Sequence, residues 1–153
     1  MSITVLSARS RAAGPGIRSE IDIRQHHLIA DEPPEMRGAD AGPMPLELLL
    51  GSLGACLTTL TALIAPHAGV ELECVTASVE GDIDFAGARG AVDVRPGFQA
   101  IRVLLEIDSR SSEDRISALL RRVELACAVA DTLVGVPVQI DTCVRHACAA
   151  TLA

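Results

Sequence analysis

Few residues in this 153-residue chain can do redox or nucleophilic chemistry, and their types are restricted. There are five cysteines, Cys56, Cys74, Cys127, Cys143 and Cys148, and four histidines, His26, His27, His67 and His146. All thirteen basic residues are Arg. With no Lys, the chain cannot form a Schiff base, anchor pyridoxal phosphate or offer a Walker-type phosphate lysine. A free thiol with a pKa of about 8.5 is mostly protonated at pH 7, so a working thiolate needs a cation or a helix beside it. Here that cation has to be Arg. The cysteine count is odd, the spacings are wide and no CxxC occurs, unlike the evenly paired framework of a small secreted domain.

Cys56 and Cys127 form the informative pair. Each falls on a predicted helix among small residues, Gly54-Ala55-Cys56 and Ala126-Cys127-Ala128. Small neighbours allow another helix or a substrate to approach the sulfur. If the second helix packs across the first, the two thiols come within disulfide range, about 5.5–6 Å between Cα atoms. One thiol can then react with an oxidant and the other resolve the sulfenic acid. The same residues also fit two inert, buried small hydrophobes, and spacing does not choose between the readings.

The other constellations read as structure. His26 and His27 are adjacent on a predicted strand, so their rings point to opposite faces and cannot easily share a metal. Cys143 and Cys148 with His146 lie at the edge of zinc-site spacing but have no evident fourth ligand, and Cys74 adds none. The acidic groups Asp82/Asp84 and Asp31/Glu32/Glu35 read as solvated charge rather than a Ca²⁺ site. No local motif supports a Ser-His-Asp arrangement. Neither metal nor cofactor is expected. A net charge of −7 and only two aromatics, Phe85 and Phe98, argue against nucleic-acid partners, which need a basic surface and stacking platforms.

The elements that would position these residues follow from periodicity. Segments 3–9 and 17–25 alternate apolar and polar residues around Ala12-Ala13-Gly14-Pro15-Gly16, which predicts a hairpin. Residues 26–31 predict a third strand and 32–43 a Pro- and Gly-rich loop. A helix begins near Pro45 and ends near Ala65, before Pro66. Its charge-free run, 48–65, touches the membrane-spanning threshold. The intervening Gly and Thr residues, and the lack of an Arg-rich flank, favour a helix in a soluble core or dimer interface. Strands follow at 71–84 and 99–107. A second helix starts after Ser111 or Ser112 with Glu113 and Asp114 suited to its dipole, and continues to Gly135. A last strand is expected at 136–141 and a short tail at 142–153. The N-terminus, MSITVLSARSR, has no signal-peptide pattern, so a cytoplasmic location and no membrane partner are expected. The order β-β-β-α-β-β-α-β indicates an α+β fold of antiparallel sheet packed against helices, with residues 1–141 as one domain.

The segment HHLIADEPPEMRGADAGPMPLELLLGSLGAC, residues 26–56, resembles the central signature of the OsmC/Ohr family, the osmotically inducible and organic hydroperoxide resistance proteins. ACAVADTL followed by VPVQI resembles the family's second-cysteine segment, and GDIDFAGARGAVDVRPGFQAIRV resembles the middle hairpin of one subgroup. The resemblance covers about residues 17–141 and keeps Cys56 and Cys127 in register. It implies an OsmC-like fold, with antiparallel sheets around a long central helix, in an intertwined homodimer. It further implies thiol peroxidase action on organic hydroperoxides. Cys56 is then the peroxidatic thiol and Cys127 the resolving one, and a dithiol of lipoyl type is the reductant. The alternative is a non-catalytic member of the fold that binds a small apolar ligand or senses oxidation.

Three departures from the family pattern bear on the site. The turn expected to carry the catalytic Arg has none. Arg18 is the first choice in its place, because it begins the second strand, with Arg11 and Arg37 as the others. The acidic partner of that Arg corresponds to Glu47, one position later than in the peroxide-resistance branch. Nine residues of continuous helix turn about 180°, so Glu47 and Cys56 face opposite sides unless the helix breaks near Gly51 or a partner subunit intervenes. The Pro usual after the second cysteine is replaced by Ala128.

Overall fold

In the computed structural model, residues 3–12, 16–133 and 135–145 are described. The chain divides into two compact units, Met1–Leu49 and Leu50–Ala153, taken separately below.

The first unit is an antiparallel sheet of β1 (Arg9–Ala12), β2 (Ser19–Ile23) and β3 (His26–Ala30), in that order. The first strand begins later than its alternation suggests. Ile3, Val5 and Leu6 are 93%, 86% and 90% exposed, because β2 ends at Ile23 and offers residues 3–8 no ladder to join. Alternation says which face a strand would bury, not whether a neighbour exists. The tip of the β1–β2 connection, residues 13–15, lies outside the described residues. Arg24 and Gln25 form the β2–β3 turn, with Arg24 at φ 55°, a left-handed position with neither Gly nor Asn to mark it in the sequence.

The loop after β3 is organised by one buried carboxylate, which corrects the expectation of solvated charge at Asp31. Asp31 is 2% exposed. Its Oδ1 accepts from the Glu32 amide at 2.9 Å, and its Oδ2 from the Ala39 and Ala41 amides at 3.0 and 3.1 Å. A chain reversal built on Pro33-Pro34 leaves these amides without strand or helix partners, and the carboxylate supplies their acceptor. Gly38 lies so close to the Glu32 carbonyl, and Gly42 to that of Ile29, that a Cβ at either would overlap backbone.

The long helix α1 (Pro45–Ile64) begins and ends within a residue of expectation and crosses the boundary between the units. It is long and apolar enough to cross a membrane by length and composition alone, yet only 22% of its apolar stretch is buried within the chain.

The second unit contains β4 (Leu72–Asp82), a four-residue helix α2 (Phe85–Ala88), β5 (Ala100–Ser109), α3 (Glu113–Ala126), α4 (Ala128–Thr132) and β6 (Val138–Arg145). Its core is legible in the periodicities. Ile101, Val103, Leu105 and Ile107 alternate on β5, each 1% exposed or less. Ile116, Leu119, Leu120 and Val123 form one stripe of α3. Leu53 and Leu57 of α1 join them at 0% exposure. Each such side chain contributes about 1.5–3 kcal/mol.

Three expectations need correction here. The sheet is mixed rather than antiparallel: β4 pairs antiparallel to β5, but β6 pairs parallel to it, from Ile101↔Val138 to Asp108↔Arg145. The reason is topological, since α3 and α4 return the chain to the start of β5, the crossover a parallel neighbour requires. β6 also runs past 141 to Arg145. Finally, the second helix is not continuous to Gly135. It stops at Cys127, whose φ of −73° and ψ of 95° are extended, and restarts at Ala128. No Gly or Pro marks this break. The side chain of Cys127, 2% exposed, takes a place in the core instead of a place on the helix.

Two predictions follow from this local chemistry. The carboxyl of Asp31 is held below the usual carboxylate range by the Ala41 amide first, then that of Glu32, with Ala39 adding and burial opposing. Its contribution to stability is therefore complete above about pH 4 and fades as pH falls through the lowered value. Thermal melts between about pH 5 and pH 2 should show a smaller acid-induced loss in Asp31→Asn, which starts from a less stable state. Ala128 follows an extended residue and opens a helix, a position suited to proline. Ala128→Pro should leave the melting temperature unchanged or raise stability by up to about 1 kcal/mol; a loss of that size would contradict the geometry.

Candidate functional site

Cys56 lies midway along α1, in the part that packs on β4. Gly54 sets the closeness of that packing: a Cβ there would stand 3.3 Å from Val79 Cγ2 and 3.7 Å from Ala77 Cβ. The hydroxyls of Thr58 and Thr61 are taken up by carbonyls of the same helix, Thr58 bonding Gly54 at 3.1 Å and Thr61 bonding Leu57 at 2.8 Å. The half-buried thiol of Cys56 is thus the chemically available group at this point of the helix.

The break between α3 and α4 delivers the second thiol. Cys127 Sγ stands 3.4 Å from Cys56 Sγ and donates a hydrogen bond to it. The two sulfurs are free thiols in contact, about 1.4 Å farther apart than a disulfide bond would hold them. Burial pushes the Cys127 thiol up, the adjacent Cys56 adds to the effect, and the amides of Ala130 and Val129 oppose it without reversing it. The upward shift of the Cys127 thiol agrees with its place as the donor to Cys56. A pair so arranged can exchange between dithiol and disulfide with little movement of the backbone.

The remaining candidates lie in the first unit, where Arg18 and Arg11 share one carboxylate and Arg37 and Glu47 sit at helix ends. Arg18 precedes β2 and its guanidinium is 3.2 Å from Glu20 Oε1. Arg11 on β1 makes the closer ion pair with the same carboxylate, through Oε2. Glu20 is held below its ordinary range by Arg11 first. Arg37 closes the turn Pro34–Met36 at φ 72°. Glu47 Oε2 accepts the Met44 amide at 2.8 Å and so closes the first turn of α1. The helix continues through Gly51 without a break, so Glu47 and Cys56 project about 180° apart around its axis.

The other constellations have structural roles. His27 Nδ1 lies 2.9 Å from Asp22 Oδ1 across β2 and β3. Asp82 binds Arg102 Nη2 at 2.8 Å, and Asp84 caps α2 by accepting the Ala86 amide at 2.8 Å, so neither is the merely solvated charge expected. Among the described residues no group of three or more His, Cys, Asp or Glu could hold a metal ion. Cys143 lies on β6; Cys148 and His146 lie outside the described residues. The α3–α4 break at Cys127 carries no Gly or Pro to mark it; the small residues around Cys56 and Cys127 singled the two thiols out, and the resemblance kept both in register.

No curated protein matches the sequence. Solved structures do match the fold over almost the whole chain. An OsmC-like protein from Mycoplasma pneumoniae is 21% identical, with a TM-score of 0.80 over 94% of this chain and 99% of that one. An organic hydroperoxide resistance protein OsmC from Legionella pneumophila is 17% identical, with a TM-score of 0.66 over 93% and 98%. An organic hydroperoxide resistance protein from Elizabethkingia anophelis is 18% identical, with a TM-score of 0.66 over 95% and 99%. At these identities the likeness is one of fold. The family profile described as OsmC-like protein matches residues 38–142, a span that includes both contacting cysteines, and the chain belongs to that family.

Proposed function

We propose that the protein is a cysteine-based thiol peroxidase that reduces organic hydroperoxides, with Cys56 peroxidatic and Cys127 resolving. The observation that carries the reading is the 3.4 Å contact in which Cys127 donates to Cys56. Family membership and the likeness to two organic hydroperoxide resistance proteins support a peroxide-related role.

The chemistry balances as follows. The Cys56 thiolate attacks the terminal oxygen of ROOH; the O–O bond breaks, RO⁻ leaves and takes a proton as ROH, and Cys56 becomes a sulfenic acid. The Cys127 sulfur then attacks the Cys56 sulfur, the S–OH bond breaks, water leaves with the Cys127 proton, and the disulfide closes. A lipoyl-type dithiol reopens it by two thiol–disulfide exchanges, ending oxidised itself. The reading assigns the cation that favours the thiolate to Arg18, because Arg11 has the closer claim on Glu20, and the acidic partner to Glu47, supplied by the second copy because the helix does not break at Gly51. With only two aromatics in the chain, a peroxide at Cys56 would meet mainly aliphatic side chains, which suits an alkyl hydroperoxide.

The working unit in this reading is a homodimer. An apolar helix mostly unburied within its own chain, with Leu63 63% exposed, supports a second copy as its cover. Sedimentation should give a dimer, and Leu63→Arg should shift it toward monomer.

Turnover of cumene hydroperoxide with a dihydrolipoyl dithiol tests the function. The wild type should consume the peroxide, Cys56→Ser should lose at least about 10³-fold, and Cys127→Ser should stop after one equivalent with a trappable sulfenic acid. Wild-type protein that binds apolar ligands or oxidises once, without turnover, would overturn it. Because the Cys127 thiol is held above its ordinary range, disulfide closure should accelerate as pH rises through and beyond about 8.5, with the sulfenic acid longest-lived at low pH.

A further inference from the structure

The excursion between β4 and β5, residues 83–99, is absorbed by none of the chemistry above, yet it is built to hold one side chain in place. Asp84 caps its short helix, and Gly87 lies against the backbone of Arg95 so closely that a Cβ would stand 2.5 Å from the Arg95 carbonyl oxygen. Gln99 Nε2 donates to the carbonyls of Arg95 and Gly97, both at 3.1 Å, while its own amide is fixed to the Asp82 carbonyl at 2.8 Å. Gly81 leaves room for the ring of Phe98, which is buried and pins the end of the excursion. The backbone around Arg95 is thus closed by its own hydrogen bonds, and the guanidinium is left pointing elsewhere.

It donates to the carbonyl oxygen of Gly135. Gly135 has φ 79° and belongs to the connection between α4 and β6. The path from there to the resolving thiol is short and continuous. Val136 bonds back to Leu133 and Leu133 to Ala130, at 3.4 and 3.1 Å, and Asp131 bonds to the carbonyl of Cys127 at 3.0 Å. A second tie, from the Ile101 amide to the Pro137 carbonyl at 2.9 Å, fixes the same connection to β5. A helix of only five residues has little stability of its own, so its orientation depends on how its two ends are held.

We infer that Arg95 is a positioning residue for the Cys56–Cys127 pair: its bond to Gly135 anchors the connection that follows α4 and so helps hold Cys127 at the angle from which it meets Cys56. This deepens the proposed peroxidase reading and rests on it for its biological use. The geometric claim, that the clasp favours the disulfide, stands or falls without any peroxide. An exposed hydrogen bond of this kind changes an equilibrium by about two- to tenfold.

The test equilibrates the full-length chain with mixtures of oxidised and reduced dithiothreitol and quantifies the Cys56–Cys127 disulfide by alkylation and peptide mass mapping. Relative to wild type, Arg95→Ala should lower the equilibrium constant for disulfide formation about two- to tenfold, and Arg95→Lys should recover part of it. Gln99→Ala, which frees the Arg95 backbone but keeps the guanidinium, should move it in the same direction by less; it serves as well if Arg95→Ala does not fold. A loss of general stability with an unchanged dithiol–disulfide equilibrium would overturn the inference, as would a wild-type chain that forms no such disulfide. A failure of the peroxidase reading appears instead as absent hydroperoxide turnover with the disulfide equilibrium still sensitive to Arg95.

Discussion

The site depends on a place where a helix gives way. Residues 113–132 have the composition of one continuous helix, but the backbone turns extended at Cys127 and resumes at Ala128. At that turn the Cys127 side chain is buried and its sulfur lies 3.4 Å from Cys56. On an unbroken helix Cys127 would hold a fixed angle relative to Val123 and the rest of the apolar stripe. By spacing Cys127 continues that stripe, four residues after Val123, and it shares the core while its sulfur meets Cys56.

Much of what surrounds this break keeps it in place. The alternating β5 residues and the α3 stripe make a core that fixes where α3 ends. Gly54 lets α1 lie close on β4, which sets the depth of Cys56. The parallel pairing of β6 with β5 draws the chain back after α4, and the bonds at Gly135 and Pro137 secure that return. Burial holds the Cys127 thiol above its ordinary range, and that thiol donates a hydrogen bond to Cys56.

Elements with long, consistent periodicity were readable in the sequence, because one physical demand, burying a stripe or a face, writes itself along the whole segment. That is why α1, β4, β5 and the start of α3 lie within a residue or two of expectation. Features set by contacts between distant residues were not readable. The parallel β6 and the late start of β1 depend on partners that no local window contains, and the burial of Asp31 on how its own loop folds back to bring the Ala39 and Ala41 amides onto it. The same holds for the site. Small neighbours marked Cys56 and Cys127 as an approachable pair and left inert packing open, the resemblance assigned their roles, and the break at Cys127 carries no Gly or Pro. The missing Lys and the scarcity of aromatics narrowed the chemistry to thiols supported by Arg in aliphatic surroundings, without indicating where they meet.

The most direct test of this account is a single-turnover disulfide map. Reduced protein is mixed with one equivalent of an alkyl hydroperoxide, quenched by alkylation, and its cysteine peptides are quantified beside the alcohol released. The account predicts one Cys56–Cys127 disulfide for each molecule of alcohol, with Cys74 and Cys143 remaining reduced. Alcohol formed without that disulfide, or oxidation distributed over the other cysteines while Cys56 and Cys127 stay as thiols, would contradict it.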